Sequence, residues 1–295
     1  MSITQKLSRR RFAGLSAAAI GATALGAPVA SSTVAQSIDP FTYITTMTET
    51  ETLGQVAGQP VEEVGPVEVD GALWTAMVQV PIKRGQDLHY TCEFDTAWSI
   101  MMAYGLDVPL EEQLAAVGID DRFEPYWEET ARGVMIYGGD IGEYFCGDLD
   151  TNLVAKAKGS AMAKAFEAMG LSVTPVYDRM AIEQSLNMGQ PVFFKSTVDF
   201  LPWTPALWNT PEGKQYRVVF TNDHALTVMA YNDREVVIRD PLGPTSTNYN
   251  RPYQYRVSWE RFLEVFAAQE NDGLAIGPSA PAAPPVGDGT GGADL

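Results

Sequence analysis

About a third of the way along the chain, apolar residues recur every three or four positions, and this spacing predicts an amphipathic helix over residues 93–104. The apolar positions in this segment are Phe94, Ala97, Trp98, Met101 and Tyr104. Gly105 follows where the helix is expected to end, because glycine readily adopts the conformation that terminates helices. A second helix is predicted to begin at Pro109, since proline is favoured in a first helical turn.

Further along the chain, short helical and strand-like patterns follow one another. Helical patterns cover residues 152–169, 180–187 and 259–268. Apolar runs of strand length cover residues 74–82, 171–176, 191–194 and 274–276, and residues 225–230 and 235–238 flank a polar turn and predict a β-hairpin. Because helices come first and an antiparallel sheet follows, the pattern predicts an α+β fold.

The same pattern predicts one folded domain with two less structured flanks. Residues 72–277 hold all the periodic segments and have the size of a single domain. Residues 36–71 are rich in Thr, Glu and Val without a sustained period, which predicts a linker or a loosely docked extension. Residues 278–295 are mostly Pro, Ala and Gly and predict a disordered tail.

The first 35 residues have the pattern of an export signal. Arginines at positions 9–11 precede a weakly apolar stretch, residues 13–27, and small residues permit cleavage after Ala30 or Ala35. The arginines and the low leucine content are typical of a twin-arginine leader, and an ordinary secretory leader is the alternative. The stretch is shorter than the roughly 20 apolar residues of a membrane span. We therefore expect export by the twin-arginine machinery to the periplasm or the extracellular space, with no membrane attachment after processing.

The charge of the chain excludes several classes of partner. The chain has 20 basic and 37 acidic residues, for a formal charge of −17. Residues 1–35 contain four of the basic and none of the acidic residues, so removal of the leader brings the charge to −21. So acidic a protein is repelled by nucleic acid and by anionic lipid. Because no Cys/His cluster has the spacing of metal ligands, we expect neither a metal nor another cofactor.

Cys92 and Cys146 are the only cysteines, and Cys92 directly precedes the first predicted helix. The amide groups and dipole at a helix N-terminus favour a thiolate, so the sequence predicts a pKa below the ordinary value of about 8.5. Polar residues flank Cys92 on both sides, as expected of a nucleophile at a loop–helix junction. The alternative is a disulfide with Cys146, which would make both cysteines structural.

A thiol nucleophile also needs a base, and histidine is the side chain with a suitable pKa. His89 lies on the loop that leads to Cys92, so we expect it beside the nucleophile rather than across a cleft from it. His224 begins the first strand of the predicted hairpin, and Asp240 follows the second strand. The open ends of a hairpin lie side by side, so Asp240 is expected to bind the second ring nitrogen of His224.

These residues resemble a known family of cysteine peptidases. The run Gln86-Asp87-Leu88-His89-Tyr90-Thr91-Cys92-Glu93, followed by a helix, is similar to the opening motif of the bacteriocin-processing, double-glycine peptidase-like domains. His224 before an apolar strand and Asp240-Pro241 match the later motif of this family. The resemblance implies a papain-like fold, with N-terminal helices that carry the nucleophile packed on an antiparallel sheet.

The same resemblance implies a catalytic triad of Cys92, His224 and Asp240, with Gln86 in the oxyanion hole. Cys92-Glu93-Phe94 replaces the common Cys-Gly-Pro, and no transporter segment accompanies the domain. Both features are similar to the free-standing, exported branch of the family, so double-glycine cleavage is not implied. The expected partner is a peptide or protein substrate.

Three functional hypotheses follow from the sequence. The first is an exported cysteine peptidase that cleaves peptide bonds through an acyl-enzyme. The second is a thiol amidase or transamidase, which uses the same residues on another bond or with another acceptor. The third is a non-catalytic extracellular binding module on the same fold, because a fold by itself does not determine a function.

Overall fold

The computed structural model describes residues 42–50, 65–122, 124–245 and 248–279. The predicted leader, residues 1–35, and nearly all of the predicted tail lie outside these ranges. In the described part the helices are α1 Cys92–Ala103, α2 Leu110–Val117, α3 Gly159–Ala168, α4 Arg179–Asn187 and α5 Trp259–Ala268. None of them is long and apolar enough to cross a membrane.

The strands are short, and half of them belong to one large sheet. They are β1 Thr45–Thr46, β2 Val67–Val69, β3 Ala72–Trp74, β4 Ala76–Met77, β5 Ile119–Asp120, β6 Tyr126–Thr130, β7 Gly133–Tyr137, β8 Phe145–Cys146, β9 Leu171–Val176, β10 Val192–Thr197, β11 Pro205–Asn209, β12 Gln215–Val219, β13 Asp223–Tyr231, β14 Glu235–Arg239, β15 Gln254–Ser258 and β16 Gly273–Pro278. The large sheet is antiparallel with the order β1-β15-β14-β13-β10-β16-β9, and β4 also pairs with β13. The α+β class is therefore confirmed.

Alternate side chains of the central strand β10 pack on opposite faces of the sheet. Phe194 contacts Phe262 of α5 with ring centroids 4.8 Å apart, whereas Phe193 contacts Phe166 of α3 at 6.2 Å. Both strand residues are fully buried. Because successive side chains of a strand point to opposite faces, a continuous apolar run can fill two layers. Each such aromatic side chain contributes about 1.5–3 kcal/mol through its burial.

Helix α1 lies on the α3 side of the sheet and is joined to the strand that carries His224. The Thr96 hydroxyl of α1 donates a hydrogen bond of 2.8 Å to the carbonyl oxygen of Ala225 in β13. Phe94 and Ala97 of the same helix belong to the buried cluster that includes Ala225. The fold thus brings the N-terminus of α1 beside the beginning of β13.

Two predicted elements differ from the structure. The helix predicted over residues 152–169 begins only at Gly159, because residues before it are tied to β8 by paired backbone hydrogen bonds of 3.0 Å between Cys146 and Lys156. Of the strand predicted over residues 74–82, only Trp74, the last residue of β3, and the two residues of β4 are in strands. Thr75 lies between β3 and β4, and its amide donates to the Tyr231 carbonyl at 2.8 Å. By contrast, the hairpin, β9 and α5 are confirmed.

Some residues of the predicted linker take part in the large sheet. β1 pairs with β15 at the sheet edge, and Ile44 and Met47 beside it are buried. Asp70, in the turn between β2 and β3, accepts hydrogen bonds from the amide and the hydroxyl of Thr48 at 2.6 and 2.7 Å. The described parts of residues 36–71 are therefore attached to the domain.

A second, four-stranded sheet with the order β12-β11-β7-β6 has no counterpart among the predicted strands. Its central pair, β7 and β11, is parallel and joins segments about 70 residues apart, with Val134 opposite Ala206. Trp208 of β11 is completely buried and donates to the Gly139 carbonyl at 2.9 Å. The inner side chains of this sheet, among them Ile136, Trp208 and Val218, form a buried cluster of their own.

Candidate active site

The loop before α1 is held by a set of hydrogen bonds around Asp95. The Asp95 carboxylate accepts from the Thr91 hydroxyl at 2.6 Å and from the Asp87 amide at 3.3 Å. The Leu88 amide in turn donates to the Thr91 hydroxyl oxygen at 3.0 Å. A hydroxyl and a carboxylate near a helix start satisfy amide groups that lack helical partners. These contacts fix the path of the loop that carries Gln86 and ends at Cys92.

Three of the four predicted site residues line one small cavity. Gln86, Cys92 and His224 all face this space of about 200 Å³. The fourth residue, Asp240, is fully buried behind His224. The remaining lining residues are His89, Tyr90, Leu153, Ala155, Val198, Asn222, Asp223 and Leu242. Residues separated by more than 130 positions in the chain thus meet at one site.

The predicted bond between His224 and Asp240 is present. His224 Nε2 lies 2.9 Å from Asp240 Oδ1, and both side chains are buried. Asp240 follows β14 directly, and β13 and β14 are neighbouring strands, so the hairpin sets this distance. With Nε2 engaged, Nδ1 is the ring nitrogen available to exchange a proton with a thiol.

Several donors hold Asp240 in its charged form. Arg251 Nη2 binds Asp240 Oδ2, the Tyr255 hydroxyl donates to the same oxygen at 2.7 Å, and the Leu242 amide donates to Oδ1 at 2.9 Å. Burial alone would raise the pKa of Asp240, but Arg251 and His224 hold it well below its usual range. Asp240 is therefore ionised and can orient an imidazole throughout the neutral range.

Arg251 is a site residue that the sequence did not indicate. Its side chain is fully buried, and Nε forms an ion pair of 2.8 Å with Asp199 Oδ1. Asp199 has a left-handed backbone with φ 55°, which is uncommon for a residue with a Cβ. Its carboxylate also accepts a hydrogen bond of 3.3 Å from Asn248. No periodic pattern surrounds Arg251, so only the contact with Asp240 reveals its importance.

The Gln86 amide nitrogen is enclosed in the protein and has no hydrogen-bond partner among the described residues. An enclosed donor without a partner costs free energy unless a ligand or a reaction intermediate uses it. The Cys92 amide, first in α1, likewise belongs to the helix-terminal groups that lack an intrahelical acceptor. Together they provide the two kinds of donor that an oxyanion hole requires.

The predicted low pKa of Cys92 is wrong for the structure as it stands. Cys92 is buried, and its sulfur lies 3.1 Å from Glu93 Oε2, to which the thiol donates. Burial and the Glu93 carboxylate raise the pKa of the Cys92 thiol well above its ordinary value, and Lys195 opposes them in part. Loss of solvent and a neighbouring negative charge thus outweigh the helix terminus.

The other histidine and the other cysteine have different surroundings. His89 is exposed, and its Nδ1 lies 2.7 Å from Asp150 Oδ1, so this ring nitrogen is engaged by Asp150. Cys146 is free and completely buried, and burial raises the pKa of its thiol to about 12. Because Cys92 is also free, the disulfide alternative receives no support. The described residues contain no cluster of His, Cys, Asp and Glu able to hold a metal.

A wider cavity adjoins the first one and shares Leu153 with it. Its volume is about 540 Å³, and exposed faces of Tyr126 and Trp127 from β6 line it. Trp127 packs on Phe220 with ring centroids 4.5 Å apart, which holds the indole at the surface. This aromatic surface belongs to the unpredicted sheet, so the sequence did not indicate its position.

Comparison with known proteins identifies the family of the chain. Residues 77–273 match the model of the Peptidase_C39 like family, and the chain belongs to that family. A crystal structure of a candidate C39-like peptidase from Bacillus anthracis superposes with a TM-score of 0.53 at 16% identity, over 70% of this chain and 98% of that one. The uncharacterised protein YvpB of Bacillus subtilis is 27% identical over 141 residues, 44% of this chain. The match spans about half of YvpB, 51% of its length.

Protonation of Asp95 is expected to make the domain more stable on mild acidification. Burial raises the pKa of Asp95 to about 6, although Thr91 and Lys83 oppose the shift. This value exceeds the unfolded value of about 3.9, so the folded state binds the proton more tightly. The contribution of Asp95 to the free energy of unfolding therefore increases as the pH falls from 7.5 through 6 towards 4.

Urea denaturation of the wild type and of Asp95→Asn at pH 7.5 and 4.5 measures this contribution. The wild type should gain on the order of 2 kcal/mol relative to the variant between the two pH values. A relative loss for the wild type on acidification would contradict the prediction.

Proposed function

We propose that the protein is an exported cysteine peptidase that cleaves peptide bonds through an acyl-enzyme. Cys92 is the nucleophile, His224 the base and later the acid, Asp240 the residue that orients His224, and Gln86 an oxyanion donor. One observation carries the proposal: Gln86, Cys92 and His224 face one cavity, while Asp240 holds the far nitrogen of His224. Membership of the C39-like family is consistent with it.

The chemistry begins when the Cys92 proton moves to His224 Nδ1 and leaves a thiolate beside an imidazolium. The thiolate attacks the substrate carbonyl, and the oxygen that gains the charge is stabilised by the Gln86 side-chain amide and the Cys92 backbone amide. Each such donor is worth about 2.7–4 kcal/mol in the transition state. His224 then gives its proton to the leaving amine, and water hydrolyses the thioester with His224 again as base.

The proposed substrate is a peptide or protein met outside the cytoplasm. Residues 1–35 support export through the twin-arginine machinery to the periplasm or the extracellular space. The formal charge of −17 argues against a nucleic acid as partner. The proposed reaction uses side chains, one backbone amide and water, and no cofactor enters it.

Replacement of His224 by alanine is expected to slow alkylation of Cys92 by iodoacetamide at pH 7 by at least about tenfold, since the thiolate loses its positive partner. Mass spectrometry locates the modified cysteine and gives the rate. His89→Ala is the matched control, because His89 lines the same cavity but binds Asp150. An unchanged rate in His224→Ala would remove this residue from the base role.

Product analysis tests the bond that is cleaved. The mature protein is incubated with a mixed peptide library and with amide-capped peptides, and new termini are identified by mass spectrometry. Cleavage at internal peptide bonds supports a peptidase. Release of side-chain or terminal amides alone would instead identify a thiol amidase with the same residues.

A further inference from the structure

Four charged side chains lie buried beneath Cys92 and form one connected group. Glu93 on α1 binds Lys195 Nζ on β10, and Lys195 Nζ lies 2.9 Å from Asp223 Oδ2 on β13. Lys156 Nζ lies 3.7 Å from the same Asp223 oxygen and donates to the Val219 carbonyl at 2.8 Å. The most exposed of the four side chains, Asp223, is only 11% accessible.

The position of Glu93 in this group leaves it little freedom. Its Oε1 accepts from Lys195 and from the Ala157 amide at 3.3 Å, and its Oε2 accepts the Cys92 thiol proton over 3.1 Å. A carboxylate held at both oxygens cannot rotate away from the sulfur without breaking buried hydrogen bonds. The thiol proton therefore points at Glu93 in the free protein, and not at His224.

The charges of the group oppose formation of a thiolate. Glu93 and Asp223 balance Lys195 and Lys156, so the group is neutral while Cys92 keeps its proton. A thiolate next to it adds an uncompensated buried negative charge, which costs free energy in a medium of low polarity. The other titratable side chains that line the cavity with Cys92 are His224, His89 and Tyr90. His89 is paired with Asp150, so His224 is the group proposed to take the thiol proton and become positive.

We propose that Glu93 holds Cys92 as a protonated, oriented thiol in the free enzyme, and that Lys195 opposes Glu93 by stabilising the thiolate form of the same sulfur. The inference rests on the proposed function, because it assigns Cys92 as the nucleophile. Transfer of the proton from Sγ to His224 Nδ1 then creates both charges of the thiolate–imidazolium pair in a single step. Because the thiolate rather than the thiol is the form that is readily oxidised, a protonated Cys92 in the free, exported enzyme also resists oxidation.

The test is the pH dependence of Cys92 alkylation by iodoacetamide, followed by mass spectrometry on the full chain. In Glu93→Gln, which keeps the shape and an acceptor oxygen, the group has one excess positive charge. The pH of half-maximal rate should fall by at least one unit. At a fixed pH below both midpoints, this shift corresponds to about tenfold more thiolate. In Lys195→Met the midpoint should rise by at least one unit. Glu111→Gln, an exposed carboxylate on α2, should leave it unchanged.

A purely structural role for Glu93 would change the thermal stability of Glu93→Gln without moving its alkylation midpoint, and that result would overturn the proposal. Shifts of the same sign in Glu93→Gln and Lys195→Met would also overturn it. Peptide turnover is measured separately. Alkylation midpoints that shift in opposite directions in the two variants, without any peptide hydrolysis by the wild type, would reject the proposed function and support this inference. Peptide hydrolysis with unchanged midpoints would support the proposed function and reject this inference.

If neither variant folds, the infrared S–H stretching band of the unsubstituted protein decides the question. A thiol that donates to a carboxylate should absorb at lower wavenumber than Cys146, whose nearest acceptor is the Tyr144 carbonyl at 3.9 Å. Cys146→Ala assigns the two bands. A Cys92 band at or above that of Cys146 would overturn the proposal.

Discussion

Replacement of Cys92 by serine is expected to abolish peptide hydrolysis while the fold stays intact. A serine hydroxyl is far less acidic than a thiol, and the buried surroundings already oppose a negative charge at this position. Loss of the nucleophile alone removes most of the rate enhancement of a triad enzyme, so we expect a decrease of about 10⁴-fold or more. Turnover of a fluorogenic peptide by the wild type and the variant at equal concentration measures the effect.

Cys146→Ala provides the matched control for this substitution. Cys146 is the other free, buried cysteine, and it lies in β8 outside the cavity that Cys92 faces. This variant should retain turnover even if its melting temperature falls. Circular dichroism and thermal melting show whether Cys92→Ser is folded. Normal turnover in a folded Cys92→Ser variant would end the assignment of Cys92 as the nucleophile.

Replacement of Arg251 by methionine is expected to destabilise the domain by about 3–5 kcal/mol. The Arg251 side chain is fully buried between Asp240 and Asp199, and methionine can fill part of its volume but supplies no charge. Removal of one partner leaves the others as uncompensated buried charges, which is costlier than the intact ion pair is favourable. Denaturant unfolding of the wild type and the variant at pH 7.5 measures the loss.

A double substitution separates the charge effect from the loss of packing. In Arg251→Met/Asp240→Asn one of the two buried, uncompensated carboxylate charges is removed, so this variant should be less destabilised than Arg251→Met alone. The second carboxylate, on Asp199, remains in both variants and accounts for the residual loss. If Arg251→Met costs less than about 1 kcal/mol, the buried carboxylates have taken up protons or water, which would contradict the prediction.

The stability and the chemistry of the site depend on the same buried charges. Arg251 keeps Asp240 ionised, and Asp240 holds His224 in the orientation that leaves Nδ1 free. Next to Cys92, the buried ion pair of Lys195 and Glu93 contributes opposing charges near the sulfur. Substitutions in either group are therefore expected to affect folding and reactivity together, and the experiments above measure the two separately.

Local patterns were sufficient for the elements whose pairing partners lie nearby in the chain. The hairpin of β13 and β14 follows from two apolar runs around a polar turn, and the spacing of the apolar residues predicts α1 with its start one residue late. The His224–Asp240 bond could be predicted for the same reason, because one hairpin carries both residues. The role of Gln86 came from the resemblance of its motif rather than from any physical pattern.

The sequence by itself thus determined the α+β class, the start of α1 to within one residue, and the pairing of His224 with Asp240, since each depends on short-range periodicity or on a single turn. Only the tertiary structure decided the four-stranded sheet, the place of Arg251, and the buried group around Glu93 and Lys195. These features join residues up to about 100 positions apart, and no local pattern records such contacts. The raised pKa of Cys92 has the same origin, because burial and neighbouring charge are properties of the assembled core.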